Sequence, residues 1–303
     1  MRVAITGGTG FVGRNLAARL ENPVIISRRT GIEIDDVDAL AAAFAGCDAV
    51  AHCAGINREI GTQTYQRVHL DGTRAVIEAA QRAGVKRIVM LSFLRARPDS
   101  GSEYHDTKFA AEEMIRASGL EYTILKSGMI YGPGDHMVDH VTKAVRTLPL
   151  FGTVGFRERT ARPVAVEDAV GVLIAALEGR VPDHTIAVMG AEELELGVAV
   201  RRIARLAGGR ALFVPLPLWA IRIVAVITEA LMVTPLVARA QAKMLGEGVS
   251  EALPYAPEAA VGIRPAHGFD EDRIRAALPV GGFTLNDLRL VRNLRKRPAR
   301  IEA

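Results

Sequence analysis

The segment that most constrains the fold of this 303-residue chain is TGGTGFVG, at residues 6–13. A short apolar run, residues 2–5, precedes it, and an apolar-periodic stretch from Phe11 to Leu20 follows it. A glycine-rich turn between a strand and a helix is the context in which a dinucleotide pyrophosphate is held. The segment therefore predicts a nucleotide-binding strand–turn–helix unit at the start of the chain.

The glycines of this motif have distinct expected tasks. Gly7 permits a tight turn, Gly10 lets the backbone approach a pyrophosphate, and Gly13 lets the helix pack closely on the strand. The backbone N–H groups at the start of the helix, at Phe11 and Val12, are expected to face the phosphates. These five residues form the first part of a predicted cofactor site.

The next apolar strand, residues 24–26, leads into Ser27-Arg28-Arg29 rather than into an acidic residue. An acidic residue at this position usually hydrogen-bonds the ribose hydroxyls of NAD. A guanidinium instead offers paired donors to a phosphate and stacks on aromatic faces. Arg28 and Arg29 therefore favour NADP over NAD, and the alternative is a pair of solvated arginines on a loop.

The amino-terminal half alternates between apolar strands and amphipathic helices. Strands are predicted at 49–53, 85–92 and 122–126, and helices at 37–44, 72–83 and 107–117. Such alternation implies right-handed crossovers and a doubly wound parallel sheet of the Rossmann α/β class, with helices on both faces. Ligands then bind beyond the carboxyl ends of the strands. The sequence places the following residues there: Gly7, Arg28, Ala54, Gly55, Ser92 and Ile130.

Tyr104 and Lys108 lie four residues apart near the start of a predicted helix, so they share one face of it. A free tyrosine has a pKa of about 10, and a nearby ammonium lowers that pKa toward the range useful for proton transfer. The same ammonium can hold a ribose hydroxyl of the cofactor. Ser92, at a strand end, is expected to orient a substrate carbonyl or alcohol. These three are the candidate catalytic residues, against the alternative of a surface Tyr–Lys pair.

The chain resembles the short-chain dehydrogenase/reductase superfamily. The matching parts are residues 6–13, HCAG at 52–55, Ser92 and YHDTK at 104–108. The Ile130-Tyr131-Gly132-Pro133 turn and the segment RPVAVEDA at 162–169 are similar to the extended members. Residues 85–135 look like the atypical branch that contains the nucleotide-binding accessory subunit of respiratory complex I.

The resemblance implies that Tyr104 is the acid/base, Lys108 its activator and ribose ligand, and Ser92 the orienting hydroxyl. Two departures argue against a nucleotide-sugar epimerase or dehydratase. His69 stands where the extended sugar-modifying members usually have Asn, and their serine lies much farther before the tyrosine than Ser92 does. We expect an NADP(H)-dependent oxidoreductase acting on a carbonyl or alcohol of a hydrophobic small molecule. The alternative is a non-catalytic NADP(H)-binding accessory or assembly protein of a membrane complex, and an epimerase or dehydratase comes third.

Two domains are expected. The sheet domain comprises 1–130 and 161–184, and a smaller carboxyl-terminal substrate lobe comprises 131–160 and 185–285. Within the lobe, the apolar segment 211–240 contains Arg222 and Glu229, so it has no uninterrupted apolar run long enough to span a bilayer. Its remaining interpretations are lobe core, the wall of an apolar pocket, or a helix at a lipid interface.

The tail, residues 286–303, has six basic and two acidic side chains and so holds the whole net charge of +4. It predicts peripheral contact with an anionic membrane or a membrane complex, against the alternative of a solvated terminus. The rest of the chain has no basic surplus, which argues against nucleic acid as a partner.

The chain is expected to be cytoplasmic and to hold no metal. It begins directly with a strand, and Cys47 and Cys53 constitute neither a disulfide framework nor a zinc site. His136 and His140 have a spacing compatible with metal binding, but a third ligand at a suitable spacing is not apparent.

Overall fold

The structure is a computed structural model that describes residues 1–154, 159–181, 184–232, 236–237, 252–260 and 262–288. The strands are β1 Val3–Thr6, β2 Val24–Ile26, β3 Ala49–His52, β4 Arg87–Phe93, β5 Glu121–Ser127, β6 Ile130–Tyr131, β7 Leu150–Val154, β8 Thr160–Ala161, β9 Val164–Ala165, β10 His184–Val188, β11 Leu194–Glu195 and β12 Leu212–Leu216. The helices are α1 Phe11–Ala17, α2 Val37–Phe44, α3 Gly72–Arg82, α4 Glu103–Arg116, α5 His136–Thr147, α6 Val166–Leu177, α7 Leu196–Leu206, α8 Leu218–Leu231 and α9 Glu271–Ala277.

Within the described ranges, six strands form one sheet in the order β10-β5-β4-β3-β1-β2, and every pairing in it is parallel. Successive strand residues point to opposite faces of a sheet, and both faces are covered here. Val3 and Ile5 of β1 pack in a core that includes residues of α1 and α6, whereas Ala4 packs in a core that includes residues of α2, α3 and α4. The doubly wound Rossmann architecture expected from the sequence is therefore confirmed.

The chain divides into two compact units. The sheet unit comprises Met1–Gly132, Ala161–Glu193 and Val249–Asp270, and the second unit comprises Pro133–Thr160, Leu194–Gly248 and Glu271–Ala303. The sequence-based boundaries placed 131–132, 185–193 and 249–270 in the lobe instead. Hydrogen bonds explain the difference for the last two ranges. Strand β10 pairs with β5, and Ala187 of β10 donates to the Pro257 carbonyl and accepts from the N–H of Ala259.

The apolar segment 211–240 contributes β12 and α8 to the second unit, and β12 pairs in parallel with β7. Residues 233–235 and 238–240 of that segment, and residues 289–303 of the basic tail, lie outside the described residues. Among the helices that the structure describes, none has both the length and the apolar character needed to cross a bilayer.

Candidate cofactor and active site

The turn after β1 depends on close backbone contacts. Gly7 has a φ of +68°, a conformation that L side chains rarely adopt, and a Cβ atom there would lie 2.8 Å from Cα of Ala54. The Gly7 carbonyl accepts a hydrogen bond of 2.8 Å from the N–H of Gly10. The turn is thus packed directly against the loop that follows β3, where Ala54 and Gly55 were expected to contact the cofactor.

Helix α1 begins directly after this turn. A Cβ atom on Gly13 would lie 2.3 Å from the Gly7 carbonyl oxygen, so the glycine is required for the helix to approach the turn. Gly10 is the N-cap, and no side chain caps the helix. The first N–H groups of the helix, including those of Phe11 and Val12, are therefore not capped by a side chain and are suited to phosphate oxygens. The geometry fits a dinucleotide pyrophosphate.

We expect Gly13→Ala to lower the free energy of unfolding by about 1–3 kcal/mol, because the new methyl group overpacks the turn. It should also weaken NADPH binding by about tenfold or more, the equivalent of 1.4 kcal/mol. Urea denaturation and nicotinamide fluorescence titration measure the two effects.

Gly171→Ala is the matched control. Gly171 lies inside α6, and a Cβ atom there would meet nothing within 4 Å. That exchange should stabilise the protein by about 0.5–1 kcal/mol. Equal behaviour of the two variants would contradict the steric account.

Arg28 and Arg29 lie in a short 3₁₀ turn, Arg28–Thr30, at the end of β2. Both side chains are exposed, and neither forms an ion pair with a residue in the described ranges. The nearby carboxylates are already engaged, because the Arg67 guanidinium donates to Asp35 at 2.7 and 3.0 Å and to Glu33 at 3.4 Å. The hydrogen bond from Arg67 lowers the pKa of the Asp35 carboxyl.

Lys108 is almost fully buried between the ends of β3 and β4. Its Nζ lies 3.4 Å from the carbonyl oxygen of Leu91, and a Cβ atom on Gly55 would lie 2.9 Å from that Nζ. Burial lowers the pKa of Lys108 to about 8, with Glu112 and Cys53 acting in the opposite direction. The absence of a side chain at Gly55 thus leaves room for the ammonium beside the loop that follows β3.

Tyr104 lies one helical turn before Lys108, in the first turn of α4, and is 6% exposed. Four rings surround it, those of Tyr65, His69, Phe93 and His105, with centroids 5.5–5.8 Å from the Tyr104 centroid. Burial raises the pKa of the Tyr104 phenol well above its usual value, and Tyr65 adds to the shift. The sequence predicted that Lys108 lowers the pKa of Tyr104, but Lys108 is not among the causes of the shift. At neutral pH the phenol therefore carries its proton.

The Ser92 hydroxyl does not have the partner that the sequence suggested. It donates a hydrogen bond of 2.6 Å to Oε1 of Glu112, a fully buried carboxylate on α4. Lys126, the register partner of Ser92 on β5, donates to the same oxygen at 2.6 Å. The β4 side chain that contacts Tyr104 is Phe93, one residue farther along. Ser92 was expected to orient a substrate carbonyl or alcohol, whereas its hydroxyl is bonded to the α4 residue Glu112, two turns below Tyr104.

His69 is a site residue that the sequence pattern flagged only as a departure. The Thr107 hydroxyl donates to the carbonyl oxygen of Glu103 at 2.6 Å, so it accepts from Nδ1 of His69 at 3.0 Å. Nε2 of His69 accepts from the N–H of Ile56 at 3.3 Å. The ring is thus neutral, and burial lowers its pKa to about 2. It lies in a π-helical turn, Gln66–Asp71, a feature that often occurs at functional sites.

His69 therefore links the loop after β3 to the helix that carries Tyr104 and Lys108. Ile130, also expected at the site, lies in β6 and packs against the core on the α1 and α6 side. Gly132, two residues after Ile130, lies close to Phe11. A Cβ atom on Gly132 would lie 3.7 Å from the Phe11 ring. Among the described residues, no cluster of three or more His, Cys, Asp or Glu side chains could hold a metal ion.

Comparisons with known proteins cover most of the candidate site, from Arg28 to Ile130. A family profile described as NAD(P)H-binding matches residues 21–148. A protein of Caulobacter vibrioides named ceramide reductase is 33% identical over 191 residues, which cover 57% of this chain and 60% of that protein. The chain therefore spans about three fifths of the length of this relative.

Two solved structures show the same fold at low sequence identity. MoeE5 in complex with UDP-glucose and NAD is 19% identical, with a TM-score of 0.66, covering 91% of this chain and 97% of the other. RMD from Pseudomonas aeruginosa complexed with NADPH is 16% identical, with a TM-score of 0.64 and the same coverage. The fold thus occurs with either nucleotide and does not itself choose between them.

Proposed function

Because this chain belongs to the epimerase/dehydratase-like short-chain dehydrogenase/reductase superfamily of NAD(P)-binding Rossmann proteins, we propose that it is an NADP(H)-dependent oxidoreductase that reduces the carbonyl of an apolar substrate. One observation carries the proposal. The buried, protonated phenol of Tyr104 lies one helical turn from the buried ammonium of Lys108. Nζ of Lys108 is packed beside Gly55, in the loop that follows β3.

The cofactor, Tyr104 and Lys108 have separate roles in the proposed reduction. NADPH supplies the hydride for the carbonyl carbon. Tyr104 donates its phenolic proton to the carbonyl oxygen, so the product is the alcohol, and solvent later returns the proton to the phenolate. Lys108 is placed to hold a ribose hydroxyl and to stabilise the phenolate that forms. The raised pKa of Tyr104 keeps the phenol protonated at neutral pH, so the group has a proton to donate.

The surroundings of Tyr104 support an apolar substrate. Rings enclose the phenol, and the neighbouring strand-end side chain is Phe93 rather than a hydroxyl. A carbonyl with apolar substituents avoids the desolvation cost that a polar sugar would meet among such rings. The relative named ceramide reductase would, by its name, act on a lipid, which agrees with this choice.

The exposed guanidinium groups of Arg28 and Arg29 at the end of β2 support NADP over NAD, because they could bind its additional phosphate. We expect Arg28→Ala with Arg29→Ala to weaken NADPH binding by about tenfold or more, because hydrogen bonds to charged groups contribute about 1.5–3 kcal/mol. NADH binding should be unaffected, which fluorescence titration with both nucleotides will measure. Arg74→Ala with Arg82→Ala removes two exposed guanidinium groups from α3 and serves as the charge-matched control. Equal weakening of NADPH and NADH would contradict the assignment.

A second candidate, a non-catalytic NADP(H)-binding accessory protein, is favoured by one observation. The Ser92 hydroxyl donates to Glu112, and the β4 side chain in contact with the Tyr104 ring is Phe93. In this case the nucleotide would stabilise the fold by mass action. Nucleotide-dependent stabilisation without turnover, and a Tyr104→Phe variant that behaves as the parent, would support this candidate.

A further inference from the structure

Helix α8 of the second unit is apolar on the face that it presents to solvent. Its buried side consists of Ile221, Ala225 and Thr228. The opposite side carries large apolar residues that are each 50–66% exposed, namely Trp219, Ile223, Val226, Ile227 and Leu231. A helix at a water-exposed surface ordinarily places polar residues on its outer face. We call these five residues the α8 outer face.

The α8 outer face has the composition of a surface that meets a partner. Scattered exposed apolar residues need no explanation, but a contiguous set of this kind marks an interaction site. The spacing of Trp219, Ile223, Val226 and Ile227 places them within about a quarter-turn of one another around the helix axis, at 100° per residue. Trp219 adds an aromatic ring of the kind that favours the boundary between water and lipid.

The residue that precedes the basic part of the tail indicates which partner the α8 outer face fits. Met232, which follows α8, forms an antiparallel backbone bridge with Leu288. Leu288, after which all six basic residues of the tail follow in the sequence, therefore lies beside the end of α8. Arg222 adds an exposed guanidinium on α8 itself. Apolar surface next to concentrated positive charge is complementary to an anionic lipid surface.

We infer that the second unit docks on anionic membranes, with the α8 outer face in the lipid interface and the basic tail on the headgroups. A second copy of the chain is the less suitable occupant, because the two basic tails would meet like charge at such an interface. Docking goes beyond the proposed oxidoreductase activity, since it requires neither a nucleotide nor turnover.

Trp219 is the only tryptophan of the chain, so its fluorescence reports directly on the α8 outer face. The 303-residue chain is mixed with vesicles of phosphatidylcholine and phosphatidylglycerol, with vesicles of phosphatidylcholine alone, and with vesicles that contain brominated lipid. We expect co-sedimentation with the anionic vesicles that salt weakens, a shift of Trp219 emission to shorter wavelength, and quenching by the brominated lipid.

Three variants separate the contributions. Arg295→Gln, Lys296→Gln and Arg297→Gln together should weaken binding to anionic vesicles by about 100-fold, since each basic residue near the surface contributes about fivefold. Ile223→Ser with Val226→Ser should weaken it by about tenfold through lost apolar burial. Ile60→Ser, which removes an equally exposed apolar residue from the sheet unit, should leave vesicle binding unchanged.

Three outcomes would overturn the inference. One is a failure of the protein to sediment with anionic vesicles at low salt. A second is sedimentation in which brominated lipid leaves Trp219 unquenched. The third is a concentration-dependent emission shift without vesicles that lipid does not increase, which would assign the α8 outer face to a second copy. Because the assay contains no nucleotide and no carbonyl, each outcome is independent of whether the proposed reduction occurs.

Discussion

Tyr104→Phe is expected to lower the rate of NADPH-dependent carbonyl reduction by about 100- to 10,000-fold, the usual contribution of a positioned proton donor. The exchange removes only the phenolic oxygen and retains the ring, so the four surrounding rings keep their packing. The measurement is the initial rate of NADPH oxidation with apolar carbonyls such as decanal and 2-decanone. NADPH affinity, followed by nicotinamide fluorescence, should be unchanged.

Tyr122→Phe is the matched control for this exchange. Tyr122 lies near the amino end of β5, whereas the site is at the carboxyl ends of the strands, and its loss should leave the rate unchanged. A Tyr104→Phe variant as fast as the parent would exclude proton donation by the phenol. Tight NADPH binding without oxidation by any carbonyl, in the parent as well, would shift the assignment to the accessory protein.

Lys126→Met is expected to lower the free energy of unfolding by about 3 kcal/mol, at the lower end of the range for breaking a buried ion pair. Lys126 and Glu112 are both fully buried, and Nζ of Lys126 donates to Glu112 at 2.6 Å and to the Ala96 carbonyl at 2.9 Å. Burial lowers the pKa of Lys126, while Glu112 acts in the opposite direction. The loss is kept near the lower limit because Arg116 still pairs with Glu112 at 3.1 Å. Urea denaturation measures the change.

A double variant, Lys126→Met with Glu112→Leu, tests the cause. Replacing both members of a buried pair by apolar residues is often neutral or stabilising, so we expect at least half of the lost stability to return. The surface pair of Arg74 with Asp71 provides the comparison, and Arg74→Met should cost less than about 1 kcal/mol. A Lys126→Met loss as small as that of Arg74→Met, or a double variant no more stable than Lys126→Met, would contradict the account.

The predictable parts of the fold and site are those that depend on neighbours in the sequence. The alternation of strands and helices indicated the sheet, and Gly7 and Gly13 lie in the tight contacts that the glycine motif requires. The start of α4 was predicted too late, at 107 rather than 103, but Tyr104 and Lys108 are nevertheless one turn apart on that helix. The roles of Tyr104, Lys108, Arg28 and Arg29 stay predictions until the experiments above are done.

The less predictable parts join residues that are distant along the chain. Ser92 was assigned to the substrate because a strand end is a common place for a catalytic hydroxyl, but its partner, Glu112, lies twenty residues away on α4. Tyr104, Lys108 and Glu112 follow one another at intervals of four residues, so all three lie on one face of a helix. This spacing was the one sequence pattern that could have indicated a carboxylate near Ser92. Nothing local to β10 or to residues 252–260 indicated that they join the sheet unit.

By itself, the sequence determined the class of fold, the position of the glycine turn and the concentration of positive charge in the tail. Each of these follows from residues close together in the chain, whose conformational preferences or charges act locally. Only the tertiary structure decided that Phe93 rather than Ser92 contacts Tyr104, which groups shift the pKa of Tyr104, and that Leu288 lies beside the end of α8. Burial and pairing decide these properties, and both arise from elements that meet only when the chain has folded.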